Sequence, residues 1–313
     1  MAVVAWNAML PRFLKAVHLP AAVVFIRLDS LDHELIGLES SSVTPVSEGT
    51  TVVLRKFASR ALGPSQMDEV RMLRTLIGRP AGTMLDVGAH QGDSLDPFIE
   101  CGWRAYAFEP DPSNRSVLIN RCPTVTVDPR AVAEVDGLEL PLYTSEVSTG
   151  ISTLSPFHPS HTQTATAKTV RLDSYIRENR IERVDFLKTD IEGWDLTALR
   201  TFPWNTHNPR AVICEFEDNK TSLIGYDYHD IARYLQERGY FVFVSEWWPV
   251  VQYGAQHRWR RFVPYPVELA TNSWGNLIAV NPALQRGLER QAAAVARRLR
   301  LRQAVDRLRG FEP

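Results

Sequence analysis

The hydrophobic pattern changes character near residue 64, where helical and strand periodicities begin to alternate. Ser65 is predicted to cap a helix, and Asp68, three positions on, is expected to return the capping bond. From residue 84 onwards, short apolar runs alternate with amphipathic stretches, the pattern of a parallel sheet covered by helices on both faces. The apolar face of the first helix is formed, at helical spacing, by Met67, Val70, Leu73, Leu76 and Ile77.

This alternation predicts about seven principal strands in an α/β fold. Between the third and fourth strands, residues 138–144 and 168–172 alternate like an antiparallel pair, and a short helix is expected from Asp173. The Ser-, Thr-, His- and Pro-rich loop over 145–166 is too long for a simple connection, so we expect it to cover a ligand. The main elements are strand 84–88, helix 94–101, strand 104–109, helix 112–120, strand 124–128, strand 184–189, helix 194–201, strand 210–216, helix 228–238, strand 240–245 and strand 276–280.

The same pattern divides the chain into three parts. Residues 1–63 form a lead-in of helix and short strands with a loop over 39–51, residues 64–281 form the main domain, and residues 282–313 form an Arg-rich amphipathic helix. We expect this helix to pack against the domain or to form a homodimer with a second copy; a peripheral membrane helix is the alternative. The aromatic-rich segment 247–274 is either a packed surface loop or a flap that binds a ligand.

Composition narrows the classes of protein. The 313 residues, 44% of them hydrophobic, suffice for one large core with flanking segments or two modest cores. The net charge of −1 gives no general attraction to nucleic acid. Cys101, Cys122 and Cys214 lack metal-ligand spacing and indicate a reducing compartment. No apolar run approaches the roughly 18 residues that cross a bilayer, and the charge order does not match a signal peptide, so we expect a cytoplasmic protein.

The stretch MLDVGAHQGDSL, residues 84–95, joins a buried strand to a helix through Gly88 and Gly92. A strand that stops at glycine lets a ligand lie against bare backbone, where a Cβ atom would be in the way. Asp86 is placed to accept from a positively charged or hydroxyl group of that ligand. The next strand ends in Glu109, 23 positions after Asp86, close to the roughly 20-residue offset at which a doubly wound fold places a carboxylate on a ribose.

The spacing of this loop favours one cofactor over another. His90 stands where a Gly-x-Gly-x-x-Gly loop has its second glycine. A pyrophosphate needs that glycine for close approach, whereas the thinner aminocarboxypropyl chain of S-adenosylmethionine does not. The loop therefore favours S-adenosylmethionine, and a dinucleotide-dependent oxidoreductase is the less favoured alternative. Ala131, past the third strand, is expected at the adenine edge.

A second group of polar residues follows the fourth strand. Asp190 ends that strand, and Glu192 lies in the turn to the next helix. Ligands bind at the carboxyl ends of strands in open α/β sheets, so both acids are predicted at the reacting centre, with Lys188 on the face of Asp190. Glu217 stands at the same edge one strand on. Several buried acids raise the pKa of one of them, which suits a general base, or they surround a cation.

Five segments resemble, in this order, the FkbM family of S-adenosylmethionine-dependent methyltransferases: MLDVGAHQGDSL, YAFEPDPSNRSVL, AVAEVDGLELPLY, TVRLDSYI and VDFLKTDIEGWDLTAL. The resemblance runs from about residue 84 to 280, and Lys-x-Asp-x-Glu-Gly is its most specific part. It implies a class I methyltransferase (Rossmann-like) fold, with a seven-stranded, mostly parallel sheet, and O-methylation of a hydroxyl on a sugar, glycan or polyketide-like acceptor. His90 departs from the family's usual Asn, and Trp194 from a usual small residue.

In this interpretation Asp190 is the preferred general base, while Glu192 and Glu217 orient the acceptor. The cofactor residues are Asp86, Gly88, His90 and Gly92 at the methionine end and loop, Glu109 at the ribose hydroxyls and Ala131 at the adenine. Besides the dinucleotide-dependent oxidoreductase, two alternatives remain at this point. One is a magnesium-assisted enzyme of the catechol O-methyltransferase type; the other is a non-catalytic module with the same fold. The magnesium ligands would be Asp190, Asp218 and Asn219.

Overall fold

The computed structural model describes residues 14–19, 22–27, 67–78, 80–253 and 257–308. The chain divides into two compact units, residues 1–54 and 55–313. In the first unit the described residues form an antiparallel hairpin, in which Leu14 pairs with Arg27 and Leu19 with Ala22. The loop predicted over 39–51 and the cap predicted at Ser65 lie outside the described residues.

The strands and helices follow the order that the hydrophobic pattern predicts, with additions. The strands are β1 (Leu14–Leu19), β2 (Ala22–Arg27), β3 (Thr83–Val87), β4 (Arg104–Phe108), β5 (Thr126–Asp128), β6 (Ala131–Val132), β7 (Glu139–Ser145), β8 (His161–Val170), β9 (Phe186–Thr189), β10 (Ala211–Glu217), β11 (Phe241–Trp247), β12 (Trp259–Pro264) and β13 (Trp274–Val280). The helices are α1 (Glu69–Ile77), α2 (Asp96–Ile99), α3 (Pro112–Arg121), α4 (Leu172–Glu178), α5 (Asp195–Thr201), α6 (Asp218–Thr221), α7 (Tyr228–Gln236) and α8 (Pro282–Leu308), with 3-10 turns at Asp93–Leu95, Thr149–Ile151 and Ser222–Ile224.

Eight strands of the described chain form the main sheet, in the order β12-β11-β13-β10-β9-β3-β4-β5. The five neighbouring strands β10, β9, β3, β4 and β5 are parallel. Strand β13 lies between β10 and β11 and is antiparallel to both. The predicted mostly parallel α/β sheet is confirmed. The strand beyond the predicted seven is β12, which comes from the aromatic-rich segment 247–274 and pairs with β11 along the edge.

Alternate residues of the strands feed two hydrophobic cores, because successive side chains of a strand point to opposite faces. Leu85 and Leu187 belong to a core that includes residues of α4, α5 and α7. Met84 and Phe186 belong to the other core, which includes residues of α1, α2, α3 and α8. The sheet is therefore covered by helices on both faces.

Helix α1 begins at Glu69, and Asp68 is its N-cap, with the carboxylate accepting from the backbone N–H of Arg71 at 2.8 Å. The sequence had placed Asp68 inside the helix. The predicted C-terminal helix is present as α8. Its residues Leu284 and Leu288 are buried in the second core, so this part of the apolar stripe packs on the helix's own domain. Among the described residues, no helix combines the length and hydropathy that a membrane crossing requires.

A small second sheet, β6-β8-β7, lies in the connection between β5 and β9. The pattern predicted its second long strand at 168–172, but β8 begins at His161 and ends at Val170. The helix that follows starts at Leu172, one residue before the predicted Asp173. The covering loop is therefore shorter than predicted, running from the end of β7 to His161.

Candidate active site

Gly88, at the end of β3, adopts a left-handed backbone with φ +83°. A Cβ atom at this position would lie 1.9 Å from the carbonyl oxygen of Asp190. The sequence had assigned the bare backbone at Gly88 to an approaching ligand. Gly88 also lines the cleft described below, so its predicted contact with a ligand stays a prediction. Its bare backbone brings the turn after β9 against the turn after β3, so that both turns share one edge of the sheet.

Gly92 also has a left-handed backbone, with φ +93°. Its Cβ atom would lie 2.8 Å from Cδ1 of Leu118 and 3.1 Å from Sγ of Cys122. Both neighbours belong to α3 or its end. Gly92 therefore allows the turn after β3 to pack closely against α3.

Lys188 links Asp190, predicted on its face, with Asp86, a contact that the sequence did not predict. Its Nζ lies 3.2 Å from Asp86 and 3.2 Å from Asp190, and it donates to the carbonyl of Gly88 at 3.0 Å. Burial opposes the charge of Lys188, but the two carboxylates outweigh it and raise its pKa, so the ammonium stays protonated. Asp86 also accepts a hydrogen bond from Ser94 and is fully buried. It does not belong to the described residues that line the cleft.

Glu109 follows β4 and lines a cleft at the carboxyl end of the sheet. Its two carboxylate oxygens accept from the backbone N–H groups of His90 at 2.8 Å and Asp111 at 2.9 Å. These bonds fix the carboxylate, and each oxygen keeps a further lone pair for a ligand hydroxyl. Burial raises the pKa of Glu109 to about 7.

The cleft has apolar walls around these acids. Ala131, predicted at the adenine edge, lines it together with apolar side chains of neighbouring strands, and Asp190 and Glu192 line it as well. An apolar slot flanked by carboxylates suits a flat, partly cationic ligand with hydroxyl groups. The apolar lining includes Val87, Phe108, Val132, Leu142, Leu154 and Ile191.

Residues of the loop between β7 and β8 line the cleft, and the predicted cover of a ligand by this loop stays a prediction. Thr149 bonds through its hydroxyl to Nε2 of His90 at 2.9 Å, and its carbonyl accepts from Asn114 at 2.9 Å. Ser152 donates to Asp111 at 3.0 Å. We call Thr149–Leu154 the cover segment; it is hydrogen-bonded to the turn after β3 and to the start of α3.

Glu192 occupies a left-handed backbone conformation, φ +57°, in the turn between β9 and α5. This conformation is uncommon for residues other than glycine and often marks a functional turn. The side chain is buried, and Lys220 donates to it. Burial is the main reason that the pKa of Glu192 rises to about 7.

Glu217 and Asp218, predicted near Asp190, are placed differently from each other. Glu217, at the end of β10, pairs with Lys220 at 2.8 Å. The carboxylate of Asp218 accepts from the backbone N–H of Tyr228 at 3.0 Å, and the next residue, Asn219, is exposed. None of these three belongs to the described residues that line the cleft.

A different set of carboxylates approaches cation-binding spacing in the described structure. Oxygens of Asp190, Glu192 and Glu215 lie within 4.8 Å of one another. The ammonium of Lys220 already contacts two of them, Glu192 directly and Glu215 at 3.7 Å. Lys220 was not predicted from the sequence. Its position three residues after Glu217 was the one feature that indicated an ion pair.

The sequence and the geometry agree with the family comparison. The model of the Methyltransferase FkbM domain matches residues 86–242, half of the chain. The chain belongs to the FkbM methyltransferase family. It is therefore an S-adenosylmethionine-dependent methyltransferase, and its sheet is that of the class I fold.

Two solved structures with remote similarity to this chain carry a methyltransferase name. An O-methyltransferase from Bacillus cereus in complex with SAH is 13% identical, with 76% of this chain and 92% of that chain covered and a TM-score of 0.38. A TehB-like SAM-dependent methyltransferase from Corynebacterium glutamicum is 10% identical, with 74% and 96% covered and a TM-score of 0.36. At these scores the similarities say nothing about substrate. Comparison with curated protein sequences finds no significant match.

The residues of the cleft fit S-adenosylmethionine chemically. Glu109 offers a fixed, buried carboxylate to a ribose diol, and the apolar walls suit a purine. Asp190 lines the cleft as well, and its carboxylate would offer negative charge to the sulfonium and amino groups. Asp86 is positioned to act on this site through Lys188, because its carboxylate is held by that ammonium.

Proposed function

We propose that this FkbM methyltransferase transfers the methyl group of S-adenosylmethionine to a hydroxyl of a sugar, glycan or polyketide-like acceptor. One observation carries the proposal: Glu192 is a buried carboxylate of the cleft with a pKa near 7. A hydroxyl must lose its proton as it attacks, and a base whose pKa lies near the working pH serves this purpose best.

The bound S-adenosylmethionine supplies an electrophilic methyl group, and its sulfur keeps the electron pair of the broken S–C bond. The acceptor oxygen forms the new C–O bond with its own lone pair. The acceptor proton passes to the carboxylate of Glu192, which starts ionised and ends neutral. Glu192 and the walls of the cleft orient the acceptor for in-line attack.

The two acids at the reacting centre then have separate roles. Asp190, which the sequence favoured as the base, pairs with Lys188 at 3.2 Å and is partly exposed. Glu192 is ion-paired as well, with Lys220, but its burial outweighs that ammonium and raises its pKa to about 7. We therefore propose Glu192 as the base and Asp190 as the group that orients the positively charged cofactor.

Aromatic side chains near Glu192 support a ring-shaped acceptor. Phe157, from the β7–β8 loop, lies 6.3 Å from Tyr253, centroid to centroid, and His158 lies 5.3 Å from Tyr253. Aromatic faces pack well against sugar rings and other extended apolar faces. Of the tryptophans in segment 247–274, Trp259 is buried in the second core, so it does not serve as an acceptor surface.

The compartment and the assembly are proposals of the same kind. Cys101, Cys122 and Cys214 are free thiols, which supports a reducing compartment, and we propose the cytoplasm. For a homodimer, the candidate surface is the part of α8 beyond the residues that pack on the domain.

An acceptor screen with methyl-labelled S-adenosylmethionine tests the proposed reaction. Wild-type protein is incubated with sugars, glycolipids and polyketides, and the labelled product is analysed for an O-methyl group. Product from a hydroxyl acceptor is expected. Labelling of nitrogen or carbon acceptors alone would refute O-methylation.

Two variants then separate the roles of the acids. Glu192→Gln is expected to lower turnover by about 10²–10⁴-fold, the usual contribution of a general base, while S-adenosylhomocysteine still binds. Asp190→Asn is expected to weaken cofactor binding more than turnover at saturation. Glu139→Gln, on an exposed face of β7, is the control. Should Asp190→Asn lose turnover at saturation while Glu192→Gln keeps it, Asp190 is the base.

A further inference from the structure

Lys220 is a buried lysine that the methyl-transfer chemistry leaves unexplained. It lies on α6, directly after β10, and is 5% exposed. Its ammonium contacts Glu192, lies 2.8 Å from Glu217 and lies 3.7 Å from Glu215. One cation thus serves three carboxylates from two different segments of the chain.

The surroundings of this ammonium make its charge important. The ring of Phe157 lies over Lys220, with Nζ 4.9 Å from the ring centroid, and the three glutamates are themselves buried. In such a site an uncompensated charge is strongly destabilising. The orientation of each carboxylate therefore depends on the lysine.

Only one of the three glutamates reaches the cleft. Glu192 lines it, whereas Glu215 and Glu217 do not belong to its described lining. The backbone supports this arrangement, because Gly193 has φ +97° and a Cβ atom there would lie 3.2 Å from Cβ of Lys220. The turn that carries Glu192 is folded closely around the lysine.

Two of these carboxylates, Glu192 and Glu215, also belong with Asp190 to the described set whose spacing would suit a metal ion. A cation bound by Asp190, Glu192 and Glu215 would share two of its ligands with the ammonium of Lys220. Two positive charges that compete for the same oxygens at this distance repel each other strongly. The chain itself thus supplies the positive charge that these acids need.

We propose that Lys220 is a positioning residue for methyl transfer: its buried ammonium is the fixed cation that holds Glu192 at the cleft, in the place of a bound divalent ion. The inference rests on the proposed function, since it concerns the orientation of the proposed base. Lys220 acts only through Glu192, and the transfer needs no added metal.

Variants of Lys220 test this role with an acceptor found by the screen above. Lys220→Met removes the charge and keeps the length, Lys220→Arg keeps the charge, and Lys168→Met, at an exposed position on β8, is the matched control. Lys220→Met is expected to lower kcat by about 10²-fold, the cost of a misplaced reacting group, with the Kd for S-adenosylhomocysteine within about threefold of wild type. Lys220→Arg should keep most of the wild-type turnover, and Lys168→Met should have the same kcat and Kd as wild type.

Near-normal kcat in Lys220→Met, or equal losses in Lys220→Met and Lys220→Arg, would overturn the role of a fixed cation. A second measurement needs no variant and stays decisive if Lys220→Met fails to fold. Wild-type protein is treated with EDTA and then with MgCl₂, and turnover is expected to stay constant. Binding of Mn²⁺, followed by electron paramagnetic resonance, should show no tight site.

Two outcomes distinguish this inference from the proposed function. Turnover that is lost with EDTA and restored by MgCl₂, or tight Mn²⁺ binding that disappears in Glu192→Gln, shows that an ion provides the charge. Lys220 then loses its proposed role, while O-methylation stands. A wild-type protein that methylates no hydroxyl acceptor contradicts the proposed function itself.

Discussion

At the scale of single residues, Gly88 shows how tightly the two turns of the site are joined. Gly88→Ala would place Cβ 1.9 Å from the carbonyl oxygen of Asp190, at φ +83°. Backbone must move to relieve this contact, so we expect a loss of at least about 3 kcal/mol in the free energy of unfolding, measured in urea. Gly102→Ala is the control, because Gly102 has a similar φ of +73° and no atom within 4 Å of the added Cβ.

The control variant should lose only about 1–2 kcal/mol, the cost of a left-handed backbone for a residue with a Cβ atom. Equal losses in the two variants would show that the contact between the turns contributes nothing. The importance of Gly88 was predictable from the sequence. Its close approach to the carbonyl oxygen of Asp190 was not predictable, because the two residues are about 100 positions apart in the sequence.

Glu109 carries the second prediction at this scale. Glu109→Ala removes a carboxylate that two backbone N–H groups hold in the cleft. A charged hydrogen-bond acceptor contributes roughly 1.5–3 kcal/mol, so S-adenosylmethionine should bind about 10- to 150-fold more weakly by calorimetry. Glu139→Ala, an exposed position, should leave the dissociation constant unchanged. An unchanged constant in Glu109→Ala would remove this residue from the cofactor site.

The sequence predicted which residues lie at the strand ends, but it did not predict their hydrogen-bond and ion-pair partners. Asp190, Glu192 and Glu109 follow predicted strands, and parallel strands bring their carboxyl ends to one edge. The pairing of Lys220 with Glu192 spans 28 positions and depends on how α6 follows β10. Asp218 and Glu217 both follow the predicted strand 210–216 in the sequence. Only the structure shows that the carboxylate of Asp218 accepts a hydrogen bond from the backbone N–H of Tyr228.

At the scale of elements, the cover segment Thr149–Leu154 should control how long the cofactor stays bound. Ser152→Ala removes the hydrogen bond to Asp111 at the start of α3. The loss of one such bond, about 0.5–1.5 kcal/mol, should speed the release of S-adenosylhomocysteine by about 2- to 12-fold in stopped-flow measurements. Ser116→Ala, exposed on α3, is the matched control. Identical release rates would show that the segment does not hold the cofactor in place.

Helices with a capping residue at their start were predicted well, and strands that depend on a neighbouring strand were not. The helices α3 and α7 have predicted starts at the observed residues. The first seven residues of β8, His161–Ala167, are rich in Thr and other polar residues and form a strand through their pairing with β7. Strand β12 forms only because β11 offers it an edge, and propensity alone carries little information on such pairing.

At the scale of the whole molecule, the buried acids should make stability depend on pH. The pKa of Glu109 is raised from 4.5 to about 7 by burial. Between these values the folded protein keeps a proton that the unfolded chain has released, so the free energy of unfolding falls as pH rises. Glu109→Gln does not titrate. Relative to this variant, the cofactor-free wild type should lose up to about 3 kcal/mol between pH 4.5 and 7.

Urea unfolding at several pH values measures this difference. Glu139→Gln serves as the control, because an exposed carboxylate has nearly the same surroundings in the folded and unfolded chain. Its curve should run parallel to that of wild type. Parallel curves for Glu109→Gln as well would show that Glu109 titrates normally in the folded protein.

The position of β13 has a consequence for biosynthesis. This strand, Trp274–Val280, is inserted between β10 and β11, although it is made after both. While the ribosome still holds residues up to Val280, β10 and β11 each present an edge of unpaired backbone groups, the kind of edge that aggregates. A nascent chain of this enzyme should therefore depend on protection by chaperones until β13 has left the ribosome, and stop codons before Trp274 should yield insoluble protein.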